Sequence, residues 1–211
     1  MVFVEAVSMK SDLINLIKSR RSIRSFEEKP VDKELLEEII QAGRFAPSAK
    51  NRQPWKFIVI TNRDFIDSLS IEVKNQMKKM LKRRFFYQFF LKSLRKKKTL
   101  QFFAAVAFSE KDSIFHKAPA LVFVISKKGM FNDESCACCA QNMMLAADSL
   151  ELGGCWIGFA HVLNVNKKMV GKLRIPKGYH IAAALIFGYP SKKREKASIR
   201  RVDADVIEWF D

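Results

Sequence analysis

Three arginines in five residues, Arg20, Arg21 and Arg24 with Ser22 among them, form a compact cluster of permanent positive charge. Guanidinium donors are fixed in geometry and always ionised, so such a cluster suits a phosphate. The alternative is a solvated basic turn. A second constellation lies in residues 46–54, where Pro47 and Pro54 bracket Ser48, Asn51 and Gln53. Each proline restricts the residue before it and removes a backbone donor, so the stretch reads as an ordered loop. Three short polar side chains on a stiffened backbone can hold a planar, hydrogen-bonding ligand; otherwise the loop is an ordinary helix-to-strand connection.

Other reactive residue types point less clearly to chemistry. Cys136, Cys138 and Cys139 cluster in a helical stretch, with Cys155 further on. Cys-x-Cys-Cys within one helix does not present four ligands tetrahedrally, and no histidine is close in sequence. Buried small hydrophobes are the favoured reading, with no metal. His116 precedes Lys117-Ala118-Pro119; it reads as a structural hydrogen-bonder, with proton donation the less favoured role. There is no G-x-G-x-x-G, no Walker lysine loop and no nucleophile-elbow motif. An enzyme built on this chain needs a cofactor to carry the chemistry.

The elements that must position these residues follow from periodicity. Leu13, Ile14, Leu16 and Ile17 predict a helix over 12–19, capped by Ser11 or Asp12, that runs into the arginine cluster. Asp32 caps a second helix of about a dozen residues bearing Leu35, Leu36, Ile39 and Ile40, with Gly43 as its expected terminator. Buried strands are predicted at 56–61, 120–125 and 181–187. A helix begins at Asp64 and carries Ile66, Leu69, Val73, Met77 and Met80 in register; Phe102–Phe108 is helix-compatible. The longest clear helix spans Glu134–Leu150, with a wide face of small residues. The order of elements fits an α+β fold.

The chain has 211 residues, 48% of them hydrophobic, enough for one sizeable core. A single domain over 1–211 with a basic helical embellishment at about 64–108 is expected. The longest apolar run, Phe102 to Phe108, is too short for a membrane span, and the first residues lack signal-peptide character. Cysteines too close together for a disulfide framework fit a reducing compartment, so the expected location is the cytoplasm. The net charge is +16. Between Lys74 and Lys98 there are eleven Lys or Arg and no acidic residue, with Phe85, Phe86, Phe89 and Phe90 among them. This basic aromatic segment is open to three readings: a helix packed on the body, an anionic membrane contact, or a nucleic-acid contact. The first is favoured, because lysine stems cover apolar surface well.

Arg20-Arg21-Ser22-Ile23-Arg24-Ser25-Phe26, followed by the Pro47-Ser48-Ala49-Lys50-Asn51-Arg52-Gln53-Pro54-Trp55 loop, resembles the nitroreductase family of flavin enzymes. Phe115-His116-Lys117-Ala118-Pro119-Ala120, Leu152-Gly153-Gly154-Cys155-Trp156-Ile157-Gly158-Phe159 and the Gly188-Tyr189-Pro190 turn extend the likeness over most of the chain. The resemblance implies a mixed, mainly antiparallel sheet flanked by helices, built as an intertwined homodimer. It implies FMN as cofactor, held at its phosphate and ribityl chain by Arg20, Arg21 and Ser22, with Arg24 reaching the ring. Pro47, Ser48, Asn51 and Gln53 would act from the other subunit. Ile157, Gly158 and Phe159 would lie beside the flavin, with a backbone N–H of Gly158 or Phe159 facing its N5. Either Arg200 or Arg201 would meet the phosphate. The implied activity is electron transfer from NAD(P)H through flavin to a small organic acceptor such as a nitroaromatic or quinone. Dehalogenating, flavin-fragmenting and deazaflavin-dependent branches share the scaffold. The reading from a different class is a basic protein that binds nucleic acid or membrane through 74–98.

Overall fold

Strand β2 (Ala120–Lys127) is apolar at nearly every position, and all of it but Lys127 is buried. A strand buried on both sides needs a layer on each, and its side chains divide between two cores by alternation. Ala120, Val122 and Val124 enter one core; Leu121, Phe123 and Ile125 enter the other. Phe123 is fully buried and by itself contributes about 2–3 kcal/mol of transfer free energy. The computed structural model describes residues 12–83, 96–192 and 207–210. Phe85, Phe86, Phe89 and Phe90 of the basic segment, and Arg200 and Arg201, lie outside them.

The sheet has the order β1 (Lys56–Ile60), β2, β4 (Tyr179–Gly188), β3 (Gly153–Trp156). All its neighbours are antiparallel. The mixed character expected of it is confined, among the described residues, to one parallel bridge between Ser22 and Gly154. Val124 faces Ala183 and Ile125 faces Ile181, so Ala182 is an extra residue in β4, a bulge that bends that strand.

One side of the sheet is covered by α2 (Lys33–Arg44) and by a long helix, Asn132–Ser149. The expectation for Gly43 needs correcting. Helix α2 continues through Arg44, and Gly43 is buried in its last turn. A Cβ at Gly43 would fall 2.6 Å from Met143 Cγ and 3.0 Å from Cys139 Sγ. The glycine is there so that two helices can touch. Asp32 occupies the N-cap position, but its side chain caps nothing; only its carbonyl accepts, from Leu36 N at 3.2 Å.

The other side is covered by α3 (Arg63–Lys82), α4 (Lys97–Phe108), a 3-10 stretch Gly158–Val165 and a short helix Lys167–Lys172. Asn62 caps α3 by accepting from Phe65 N at 2.8 Å, so the helix starts one residue before Asp64. Helix α1 forms over 12–19 as expected and includes Asp12, which is therefore not its cap. Its Leu13, Ile14 and Ile17 remain about half exposed, an apolar stripe that no described residue covers fully. The long helix and the short one are numbered α5 and α6 below. No described helix is long and apolar enough to cross a membrane.

Candidate functional site: an arginine-bearing edge beside an apolar cavity

The arginine segment leaves α1 and runs along the edge of β3. Ile23 N donates to Gly154 O at 3.1 Å, and further on Glu27 N donates to Tyr189 O at 2.9 Å. A Cβ at Gly153 would lie 2.7 Å from Ile23 Cβ, so this approach requires glycine. Docking the segment buries guanidinium atoms. Arg20 Nη1 and Arg21 Nε are buried with no hydrogen-bond partner among the described residues. A buried donor left unpaired is costly, and an anion is the partner its charge calls for. Arg21 is partly committed already: its Nη1 donates to Lys18 O at 2.7 Å and Arg20 O at 2.6 Å, which closes the end of α1. Ser22 and Arg24 are exposed. Beneath them, burial pushes the Cys155 thiol up, against the pull of Arg24, Ser22 and Arg20.

Arg24 also lines a cavity of about 770 Å³ between the sheet and α4. Its walls include Met80, Phe102, Phe103, Trp156, Ile157 and Phe159. Phe159 meets Phe103 edge-on at 5.9 Å and Phe102 at 5.7 Å, an arrangement that holds an aromatic wall in place. Gly158 lies on the same cavity, and a Cβ there would meet nothing within 4 Å. No neighbour among the described residues requires glycine there. Thus Ile157, Gly158 and Phe159 line one void together with Arg24, and Arg20 and Ser22 sit along the edge that leads to it.

His116 and His161 also line the cavity. His116 and Lys117 both have left-handed backbone, φ 54° each, a strain of about 1–3 kcal/mol per residue. Asp112 holds the turn in that shape. Its Oδ1 accepts from Ile114 N and Phe115 N, both at 3.1 Å, and from Ser70 Oγ at 2.5 Å; its Oδ2 accepts from Lys117 N at 2.8 Å. Burial acts to raise the Asp112 carboxyl, but these hydrogen bonds outweigh it and hold it below the usual range. His116 is shifted down by burial and by Arg24, against Asp112. Desolvation lowers His161 too, helped by His180 and opposed by Asp133. Sequence reasoning passed over Asp112. Its signal was an Asp-Ser pair before a turn, where an aspartate bonds backbone N–H groups downstream.

The Pro-bracketed loop is ordered as expected. Lys50, Asn51 and Gln53 are left-handed, at φ 54°, 52° and 47°. Ser48 Oγ accepts from Gln53 N at 3.0 Å, and Gln53 Nε2 donates to Asn51 Oδ1 at 3.2 Å. Trp55 is buried and anchors the loop's end, while Pro47, Asn51 and Gln53 stay exposed. Within one chain this loop does not reach the arginines. Gly154 pairs with Phe187 and hence with Ala120, whereas the loop feeds Lys56, which pairs with Ile125. Ala120 and Ile125 are about 17 Å apart at the antiparallel rise. The two motifs also occupy opposite edges, since β1 and β3 are the outer strands.

Cys136 and Cys139 are buried on α5, and burial pushes their thiols up to about 11 and about 12 respectively; Cys138 is exposed. Among the described residues no three His, Cys, Asp or Glu side chains form a group that could hold a metal ion.

An antiparallel sheet between two helical layers, with a basic edge opening on an apolar cavity, is the fold of several solved flavoproteins. A nitroreductase with bound FMN from Bacteroides fragilis superposes with a TM-score of 0.75 at 23% identity, covering 94% of this chain and 98% of that one. Another with bound FMN, from Desulfitobacterium hafniense, gives a TM-score of 0.74 at 20% identity, covering 95% and 98%. In sequence, a Methanothermobacter thermautotrophicus protein is 29% identical over 90% of this chain and 84% of its own length. It carries the provisional name NADH dehydrogenase/NAD(P)H nitroreductase. The profile of the Nitroreductase family matches residues 17–189, and the chain belongs to that family.

Proposed function

We propose that the protein is an FMN-dependent oxidoreductase that works as a homodimer and passes electrons from NAD(P)H to a small organic acceptor. The observation that carries this reading is the buried Arg20 Nη1, without a hydrogen-bond partner among the described residues, on an edge that leads to a cavity with open space at Gly158. The residues present fit FMN. Arg20 and Ser22 would hold the phosphate and ribityl chain, with Arg200 or Arg201 adding charge. Arg21 has a smaller share, its Nη1 being committed to α1. Arg24 would lie near the ring and stabilise negative charge there. Ile157, Gly158 and Phe159 would give the ring a close backbone surface. When bound, FMN supplies two-electron redox chemistry that no side chain of this chain can perform.

What one chain leaves undone supports the dimer. The Ser48, Asn51 and Gln53 loop is ordered and exposed yet remote from its own arginines. A second copy would bring Pro47, Ser48, Asn51 and Gln53 to them. Apolar side chains on α1, together with exposed Ile207, Trp209 and Phe210, are available to cover that interface. The names of the relatives support a nicotinamide donor and a nitroaromatic acceptor: a Comamonas testosteroni relative, 23% identical over 93% of this chain, is a chloronitrobenzene nitroreductase.

Purified protein should be yellow, or become so with FMN. Anaerobic NADH or NADPH should bleach the visible bands, and a nitroaromatic or quinone should restore them. Protein that stays colourless after incubation with FMN would overturn the reading.

A further inference from the structure

We propose that His116 is a substrate-contacting residue that hydrogen-bonds an oxygen of the electron acceptor inside the cavity. This rests on the flavin reading above and names the acceptor's recognition feature. His116 lines the same cavity as Arg24 and Gly158. Its backbone is left-handed, a conformation a β-carbon disfavours. That conformation is imposed from outside. One carboxylate, Asp112, ties the N–H groups of Ile114, Phe115 and Lys117 and is itself tied to Ser70 of α3. A half-buried carboxylate that fixes three backbone donors around one histidine sets where that imidazole sits.

No hydrogen bond to either ring nitrogen of His116 is formed by the described residues. With its titration shifted down by burial and by Arg24, it is neutral at neutral pH and offers one N–H and one lone pair. Among the described residues, the rest of the lining is mainly apolar and aromatic, with no carboxylate. A flat acceptor can stack on Phe102, Phe103 or Phe159, but few groups can fix its orientation. An oxygen on the ring, as in a quinone carbonyl or a nitro group, is the feature the His116 N–H would recognise. The role is a hydrogen bond and not proton donation, because a neutral imidazole that lost its N–H would become a high-energy anion.

Two variants separate this from a structural role. His116→Gly removes the ring and relaxes the left-handed backbone, so it should fold at least as well. His116→Gln keeps a hydrogen-bond donor. The probe is 1,4-naphthoquinone, titrated into oxidised, FMN-loaded protein and followed through the flavin absorbance, so that no turnover is needed. His116→Gly should weaken binding by roughly three- to tenfold, the span of one neutral hydrogen bond. His116→Gln should stay within about twofold of the parent, and FMN affinity should be unchanged in both. Equal naphthoquinone affinity in parent and His116→Gly, with the protein yellow and reducible, would overturn the His116 assignment and leave the flavin reading standing. So would an equal loss in both variants. A parent protein that cannot hold FMN would overturn both.

Discussion

The two helical layers cover the same sheet, yet one is closed and the other is not. Under α2 and α5 the helices meet closely: Gly43 of α2 lies against Cys139 and Met143 of α5. Helices that lack bulk at the contact approach until backbone and side chain touch, and Gly43 against Met143 leaves no room for a methyl group. Under α3 and α4 the residues are larger and the fit is incomplete. Phe102, Phe103 and Phe159 brace one another around a cavity of about 770 Å³. Interiors are otherwise close-packed, so a void of this size has room for a ligand, and Arg24 on its wall joins it to the edge where Arg20 and Arg21 have buried donors without a partner among the described residues.

Shrinking a side chain on the closed side should cost the most. Met143→Ala, at a fully buried position, should lower stability by about 2–5 kcal/mol, read from urea midpoints. Enlarging one there should also cost. Gly43→Val should destabilise by about 1–3 kcal/mol through overpacking; a neutral result would mean that α2 and α5 are not in the contact described.

The layers should also respond to opposite ends of the pH scale. Cys136 and Cys139 have raised thiols, to about 11 and about 12, against an ordinary 9.0. Folding therefore favours their protonated forms, and that stability is present below pH 9.0 and lost as pH rises toward those values. His116 is lowered from 6.5, so its contribution is present above pH 6.5 and lost as pH falls below it. Asp112, lowered from 3.8, adds a second loss under more acid conditions. Cys139→Ala should flatten the alkaline limb of a stability–pH curve, and His116→Gln the first part of the acid limb. If each variant flattens the other's limb, the assignment of these groups to the two layers fails.

The smallest stability effect belongs to the cavity wall. Phe102 is exposed, so Phe102→Ala should change stability by no more than about 0.5 kcal/mol while raising the KM for an aromatic acceptor. Steady-state kinetics beside thermal unfolding would check the split. A large loss of stability with unchanged KM would mean that Phe102 belongs to the core.

What was legible in the sequence follows the same division. Strands such as β2 announced themselves, because a strand buried on both faces reads as an unbroken apolar run. The arginine segment and the Pro-bracketed loop were legible because their residue types are restricted by charge and by φ. Gly43 misled, since a glycine near a helix end looks like a terminator until the neighbouring helix is in view. Asp112 was invisible for a related reason: its partners Ser70 and Lys117 meet it only in the folded chain. The cavity could not be read at all, because Met80, Phe103, Trp156 and His161 come together from separate elements.

The central claim is that the buried donors of the arginine edge await a flavin phosphate, and FMN titration of apo-protein tests it most directly. The parent should bind FMN with a quenched flavin fluorescence, and Arg20→Ala should bind it less tightly by about 1.5–3 kcal/mol, the range for a hydrogen bond to a charged group. Riboflavin, which lacks the phosphate, should bind parent and Arg20→Ala alike. Identical FMN affinity in the two proteins would contradict the account.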